Sequence, residues 1–313
     1  MKKIDLRRIK TYPLKGRKSK VKIKDFACLA PVPSSFARFL SSLPDILVGR
    51  NLRELVERIV WARTRKRPVI LMFGGHLIKC GLSPLIIELI QQDIVTCLST
   101  NGSGIIHDFE IAFAGRTSED VREAVQDGSF GMARETGEFI NQAINQGSEK
   151  GKGIGESVGE FILQSAFPYK KYSFLAHGRK ANLPVTVHVG LGTDIIHQHP
   201  NCSGAALGQG SMQDFLTLSA VVSRLSGGVV LNFGSAVILP EVFIKALNLA
   251  RNTGHKVEDF TVANFDMMIH YRPLENLLRR PGGRGYNFVG HHEIMFPLLV
   301  QAVREKIEGG RKG

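Results

Sequence analysis

Four cysteines are all this 313-residue chain has: Cys28, Cys80, Cys97 and Cys202, far apart and without a CxxC pair. A chain of this size does not need a disulfide framework to fold, so a reducing, cytoplasmic setting is expected. Long apolar runs are missing as well. Residues 69–73 and 185–189 are typical, far short of the roughly 20 residues that cross a bilayer as a helix. The basic first residues are not followed by an apolar segment, which speaks against a leader or membrane anchor. Tandem repeats, low-complexity tracts and long flexible linkers are absent too, which favours one domain over several. Disorder is not the leading expectation, because 43% hydrophobic and 22% charged residues supply a large core.

The net charge of +13 suggests nucleic acid until it is located along the chain. Residues 1–25 hold eleven Lys and Arg against Asp5 and Asp25, so nine of the thirteen net charges sit there. A basic arm binds phosphate backbones by counterion release, or docks on an acidic neighbouring subunit. No recognition helix or base-stacking aromatic motif accompanies it, which disfavours nucleic acid as the partner. Residues 1–50 therefore read as a basic arm, and residues 51–313 as a single nucleotide-binding domain.

Periodicity places Leu52, Leu55, Val56, Ile59 and Val60 on one stripe of a helix over 51–65, which feeds a buried strand at 68–73. Ser83 ahead of Pro84 predicts a capped helix over 84–92. Further strands are expected at 94–100, 184–191, 228–234 and 259–265, with helices near 211–225 and 240–253. Strands that alternate with helices and lack polar alternation call for a parallel sheet covered on both faces. The expected class is α/β: a doubly wound, mostly parallel sheet in three α/β/α layers, with a helical insert at about 117–180. In the insert, Gly147, Gly151, Gly155 and Gly159 recur every four residues. On one helix they would form a stripe for close packing, within the subunit or against another.

Each expected strand ends in small or polar residues: Gly74, Gly75 and His76; Thr100, Asn101, Gly102, Ser103; Gly192, Thr193 and Asp194; Gly234 and Ser235; Asn264 and Asp266. Ligands of open parallel sheets bind beyond the strand carboxyl ends, where glycine admits phosphates and helix N-termini offer free N–H groups. TNGSG is not the GxGxxG fingerprint, so the joint pattern points to a nucleotide without saying which one.

The stretch ANLPVTVHVGLGTD (181–194) resembles the deoxyhypusine synthase segment in which an Asn-Ile-Pro-Val strand runs into a Thr-Asp-Gly turn. LPEVFIKALNLARNTGHKVEDFTVAN (239–264), RPLENLLRR (272–280) and GHHEIMFPLLVQAV (290–303) resemble further blocks of that family, in order. TNGSGIIHDFE (100–110) is similar to its nucleotide loop and to that of ornithine cyclodeaminases. The resemblance implies a Rossmann-like fold that binds NAD, with NADP as the alternative, in a homo-oligomer (dimer or tetramer) with sites near subunit interfaces. It places Thr100, Gly102, Asp108 and Asp194 along the dinucleotide pocket, and Asn264 and Asp266 in the next ligand-facing loop. The family's imine-forming lysine has no counterpart: after Arg272 and Pro273 the chain reads Arg279, Arg280, Pro281, Gly282, and no lysine occurs between Lys256 and Lys306. A guanidinium cannot form an imine, so deoxyhypusine synthesis is not expected.

Histidines stand in place of that lysine. His107 with Asp108 and Glu110, His199, and His292 with Glu293 are candidates for proton transfer near neutral pH. Within HQHPNC, His197, His199 and Cys202 offer a loose alternative metal set, against the plainer reading of loop histidines bonded to backbone. His188 and His255 read as structural, and Cys80 and Cys97 as small core residues. Arg272, Arg280 and Arg284 form a basic, glycine-rich loop suited to a carboxylate or phosphate; His76 and Lys79 are secondary candidates. The leading expectation is an NAD-dependent enzyme acting on a small metabolite with an amino or acidic group. A metal-dependent hydrolase or lyase built on HQHPNC and a non-catalytic nucleotide sensor are the alternatives.

Overall fold

Six buried or half-buried strands lie side by side in one all-parallel sheet of order β3-β2-β1-β4-β5-β6. They are β1 (Val69–Phe73), β2 (Cys97–Asn101), β3 (Val185–His188), β4 (Val229–Phe233), β5 (Thr261–Asp266) and β6 (Arg284–Val289). This computed structural model describes residues 6–13 and 20–311. Of the basic arm, Lys2, Lys3, Lys15, Arg17 and Lys18 lie outside the described residues.

The helices are α1 (Phe36–Ser42), α2 (Leu47–Thr64), α3 (Gly75–Lys79), α4 (Ser83–Gln91), α5 (Gly102–Ala114), α6 (Val121–Asp127), α7 (Arg134–Glu149), α8 (Ile154–Gln164), α9 (Phe174–Lys180), α10 (Gly204–Val222), α11 (Ile238–Asn252) and α12 (His292–Arg311). Successive strand residues point to opposite faces, which separates two cores. Val69, Leu71, Phe73, Leu231 and Phe265 pack under α2, α4, α5, α7–α9 and α12, whereas Ile70, Met72, Val230 and Val262 pack under α10 and α11. Among the described residues, no helix is long and apolar enough to cross a membrane.

The three-layer α/β architecture is as expected, and the differences are local. Residues 284–289, read as part of a basic loop, form the edge strand β6. There Tyr286 and Phe288 are buried while Arg284 and Gly285 are exposed. Ser83 is not an N-cap; Leu82 holds that place and the Ser83 hydroxyl is buried without a partner. The four glycines of the insert do not share a helix. Gly147 lies on α7, Gly151 turns the chain at φ +68°, and Gly155 and Gly159 lie on α8. Each of the three helical ones faces its own subunit: Gly147 faces Ser157, Gly155 the Val185 carbonyl and Gly159 the Leu175 carbonyl.

Candidate functional site

From β1 the chain winds to one side of the sheet and from β4 to the other, so the strand order reverses between these neighbours. Loops leaving such a pair diverge and open a crevice at the carboxyl rim. Here the crevice is lined by backbone. The Gly74 amide donates to the Phe233 carbonyl at 3.2 Å and the Gly234 amide to the Phe265 carbonyl at 3.0 Å. A Cβ on Gly74 would fall 3.3 Å from the Gly234 carbonyl oxygen. Gly234 needs to be glycine for two reasons: its φ is +67°, and a Cβ would fall 2.6 Å from His292 Nε2.

His292 opens α12 on this crevice. Its side chain is 1% exposed, its ring lies 6.0 Å from that of Phe233 and 5.7 Å from that of His76 on α3, and its Nδ1 is buried without a hydrogen-bond partner. Burial lowers its pKa from 6.5, the negative Asp266 opposes this, and His76 adds to it. Asp266, buried at the end of β5, accepts from the Met267 amide at 2.7 Å and faces His270 at 3.9 Å. Glu293 lies 3.8 Å from the Cys80 sulfur, and burial together with that carboxylate raises the thiol's pKa. Sequence reasoning missed Cys80 and His270 here; 213 residues separate Cys80 from Glu293, and nothing local signals the contact.

On the other side of α3, Lys79 borders a cleft of about 210 Å³ over the ends of β2 and β3, lined also by Ser103, His107, Glu110, Thr193 and Asp194. Thr117 bridges His107, whose Nδ1 lies 2.7 Å from the Thr117 hydroxyl, and Glu110, which accepts a hydrogen bond from that hydroxyl. Burial raises the Glu110 pKa, but its own contacts with His107, Thr117 and Thr136 outweigh this and lower it. Asp194 rests against Gly102, where no side chain would fit, and burial raises its pKa despite the nearby His197. The two halves make one rim, with α3 between them.

Several expected site residues reach this rim only as framework. The buried Thr100 hydroxyl donates to the Phe73 carbonyl at 2.8 Å. Asn101 caps α5, accepting from the Gly104 amide and the Ser103 hydroxyl. Gly75 is packed against Ser103, leaving no room for a side chain. Ser235 accepts from the Leu239 amide, and Asn264 links Asn232 to Asn287 across three strands at 2.8 Å on each side. Gly192, at φ +86°, and Thr193 stay exposed in their turn.

Asp108 does not face the crevice. It is fully buried in α5 and accepts hydrogen bonds from the Ser173 hydroxyl and the Phe174 and Leu175 amides, holding the start of α9. Nor do the HQHPNC histidines converge. His197 Nδ1 accepts from the Gly192 and Asp194 amides, while His199 Nε2 bonds the Gly131 carbonyl at 2.8 Å and its ring fills the space beside Gly137. Among the described residues no group of three or more His, Cys, Asp and Glu could hold a metal. The arginines separate: Arg272 pairs with Glu241 and Arg280 contacts Asn276 and Tyr271, whereas Arg284 starts β6 opposite Thr261, at the amino end of the sheet.

No family model matches the chain, and no curated protein matches it by sequence. Among solved structures, a candidate deoxyhypusine synthase from Entamoeba histolytica superposes with a TM-score of 0.53 at 12% identity, over 86% of this chain and 93% of that one. The chain has the deoxyhypusine-synthase-like fold. A conserved candidate LOR/SDH protein from Methanococcus maripaludis S2 gives 0.52 at 12% identity, over 82% and 70%. AgrE in its ternary complex with ornithine and NAD+ gives 0.51 at 13% identity over 84% of this chain, which spans only 34% of AgrE. Identities this low carry the fold and nothing finer.

Proposed function

We propose that this chain binds NAD, or NADP, along the carboxyl rim and is an NAD-dependent enzyme acting on a small metabolite with an amino or acidic group. The observation that carries the reading is the reversal of strand order between β1 and β4, with Gly74 and Gly234 closing on each other at the reversal. The fit rests on two features of that crevice: walls of bare backbone, and a buried His292 Nδ1 that lacks a partner. The side-chain-free backbone at Gly74 and Gly234 would let the phosphates approach, and Ser103, Thr193 and Asp194 would line the remainder of the dinucleotide. Bound there, NAD supplies a hydride acceptor.

The chain's own residues would do the proton work. His292, kept neutral by burial, accepts a proton at Nδ1, and the exposed His76 beside it passes protons to solvent. Glu293 and His107 stand one step further out. Lys79 replaces Arg284 as the cation for a substrate's acidic group, because Lys79 borders the cleft and Arg284 lies at the far end of the sheet. Deoxyhypusine synthesis is not proposed, since the imine-forming lysine is missing. A homo-oligomer is part of the reading: Met268, Ile269, Tyr271, Val289 and Ile294 leave apolar surface exposed beside the crevice, where a second copy would cover it. Sedimentation velocity tests that part, and a monomer at all concentrations removes it.

The cofactor reading is tested by thermal shift with NAD, NADH, NADP and ADP-ribose. A ligand at a hundred times its Kd stabilises the folded state by about 2.7 kcal/mol. No shift with any of the four at saturation removes the reading. Binding without turnover of any amino or carboxylate metabolite, in wild type as in His292→Gln, favours the sensor instead.

A further inference from the structure

At the opposite, amino end of the sheet the chain segments entering β1 to β5 surround a hollow of about 490 Å³. Pro68, Pro184 and Val221 supply apolar wall, and four cations line it: Lys66, Arg67, Arg224 and Lys256. No carboxylate lines it, and among the described residues none of the four forms an ion pair. Elsewhere on the surface some cations are paired, Arg272, Arg279, Arg304 and Lys306 among them; what distinguishes these four is that they line one hollow together.

Helix ends account for part of this arrangement. Lys66 and Arg224 follow the last turns of α2 and α10, where a cation meets the negative end of the helix dipole. Arg67 and Lys256 have no such reason to be here. Arg67 lies in the extended link to β1, and Lys256 lies between α11 and β5, four residues past the last residue of α11. Four like charges around one hollow repel one another, and the cost is relieved when an anion of several charges enters. Two guanidinium groups favour phosphate, which they meet with paired N–H donors. The volume is that of a small-molecule site and not of an extended strand groove.

We infer that this hollow binds a compact polyphosphate anion, either free or as the phosphate chain of a nucleotide whose base lies on the apolar wall. The site is separate from the carboxyl rim and does not depend on the NAD reading.

The test uses the full chain, with pyrophosphate, tripolyphosphate, ATP and a short single-stranded RNA as probes at constant ionic strength, and sulfate as the control. Calorimetric binding and a raised melting temperature are expected with the polyphosphates and not with sulfate. Arg67→Glu/Arg224→Glu should weaken binding at least tenfold while leaving any response to NAD unchanged. Lys256→Glu, on an exposed loop, gives the same direction should the double variant fold poorly. ATP binding more tightly than tripolyphosphate assigns the apolar wall to a base, and equal binding assigns the site to the phosphate chain alone. The inference is overturned if wild type binds no polyphosphate, if the variants bind as wild type does because the N-terminal cations are responsible, or if RNA alone binds.

Discussion

His292 stands edge-on to His76, with ring centroids 5.7 Å apart and planes inclined at 63°. One ring is buried and the other exposed. Burial holds the His292 pKa below 6.5, with His76 adding to the depression and Asp266 opposing it. In an NMR titration the His292 midpoint should fall below 6.5, rise in His76→Ala and fall further in Asp266→Asn. For a depressed histidine, the stability it contributes is present above pH 6.5 and is lost as pH falls through the folded-state pKa. A midpoint at or above 6.5 would remove the neutral base from the proposed chemistry.

Gly234 holds two constraints at once. Gly234→Ala places a Cβ in a left-handed backbone position and against the His292 ring, and should cost about 1–3 kcal/mol in urea unfolding. Gly192→Ala is the control, with φ +86° and open space around it, so it carries the backbone penalty alone, about 1 kcal/mol. Equal losses in the two variants would mean that His292 yields freely.

The first five strands were legible because Val, Ile, Leu and Phe runs buried on both faces have no other stable arrangement. The edge strand β6 was not: Arg284, Gly285 and Asn287 break the apolar run, and only its alternation of Tyr286 and Phe288 marks it. Glycine spacing misled where Gly151 ends one helix and lets the next begin, a matter of φ and not of period. The rim itself was legible, because glycines and polar residues follow each of these five strands. Roles within it were less so. Thr100, Asn101, Asp108 and Asn264 have the residue types of a ligand site, yet their hydrogen bonds go to their own chain. Conversely, Arg284 aligned with a family loop but the strand carries it to the wrong end.

Asn264 is the middle rung of a ladder in which Asn232 donates to it and it donates to Asn287. Phe233, Phe265 and Phe288 stack in the same register on the other face, with centroids 4.3 and 4.4 Å apart. Asn264→Ala leaves a buried donor on Asn232 short of one partner and the Asn287 carbonyl without its donor. It should cost about 2–4 kcal/mol. Asn264→Asp, which cannot donate when ionised, should be worse at pH 8 than at pH 4. Chemical denaturation at both pH values decides; a neutral Asn264→Ala would show that water replaces the ladder.

Asp108 gives the clearest pH dependence. Burial pushes its carboxyl up to about 7, although the Ser173 hydroxyl and the amides of Phe174 and Leu175 all favour the charged form. A carboxyl whose folded-state pKa lies above its unfolded value contributes stability that is fully present below about pH 4 and is lost as pH rises through 7. Asp108→Asn keeps a carbonyl acceptor for the start of α9 and removes the titration. The stability of wild type relative to this variant should therefore fall between pH 4 and pH 7.5, by an amount on the order of 2–4 kcal/mol. Asp214, also pushed up to about 7 by burial, is present in both proteins and drops out of the difference. A difference that stays flat across this range, measured by urea unfolding at each pH, would show that the three donors keep Asp108 ionised throughout.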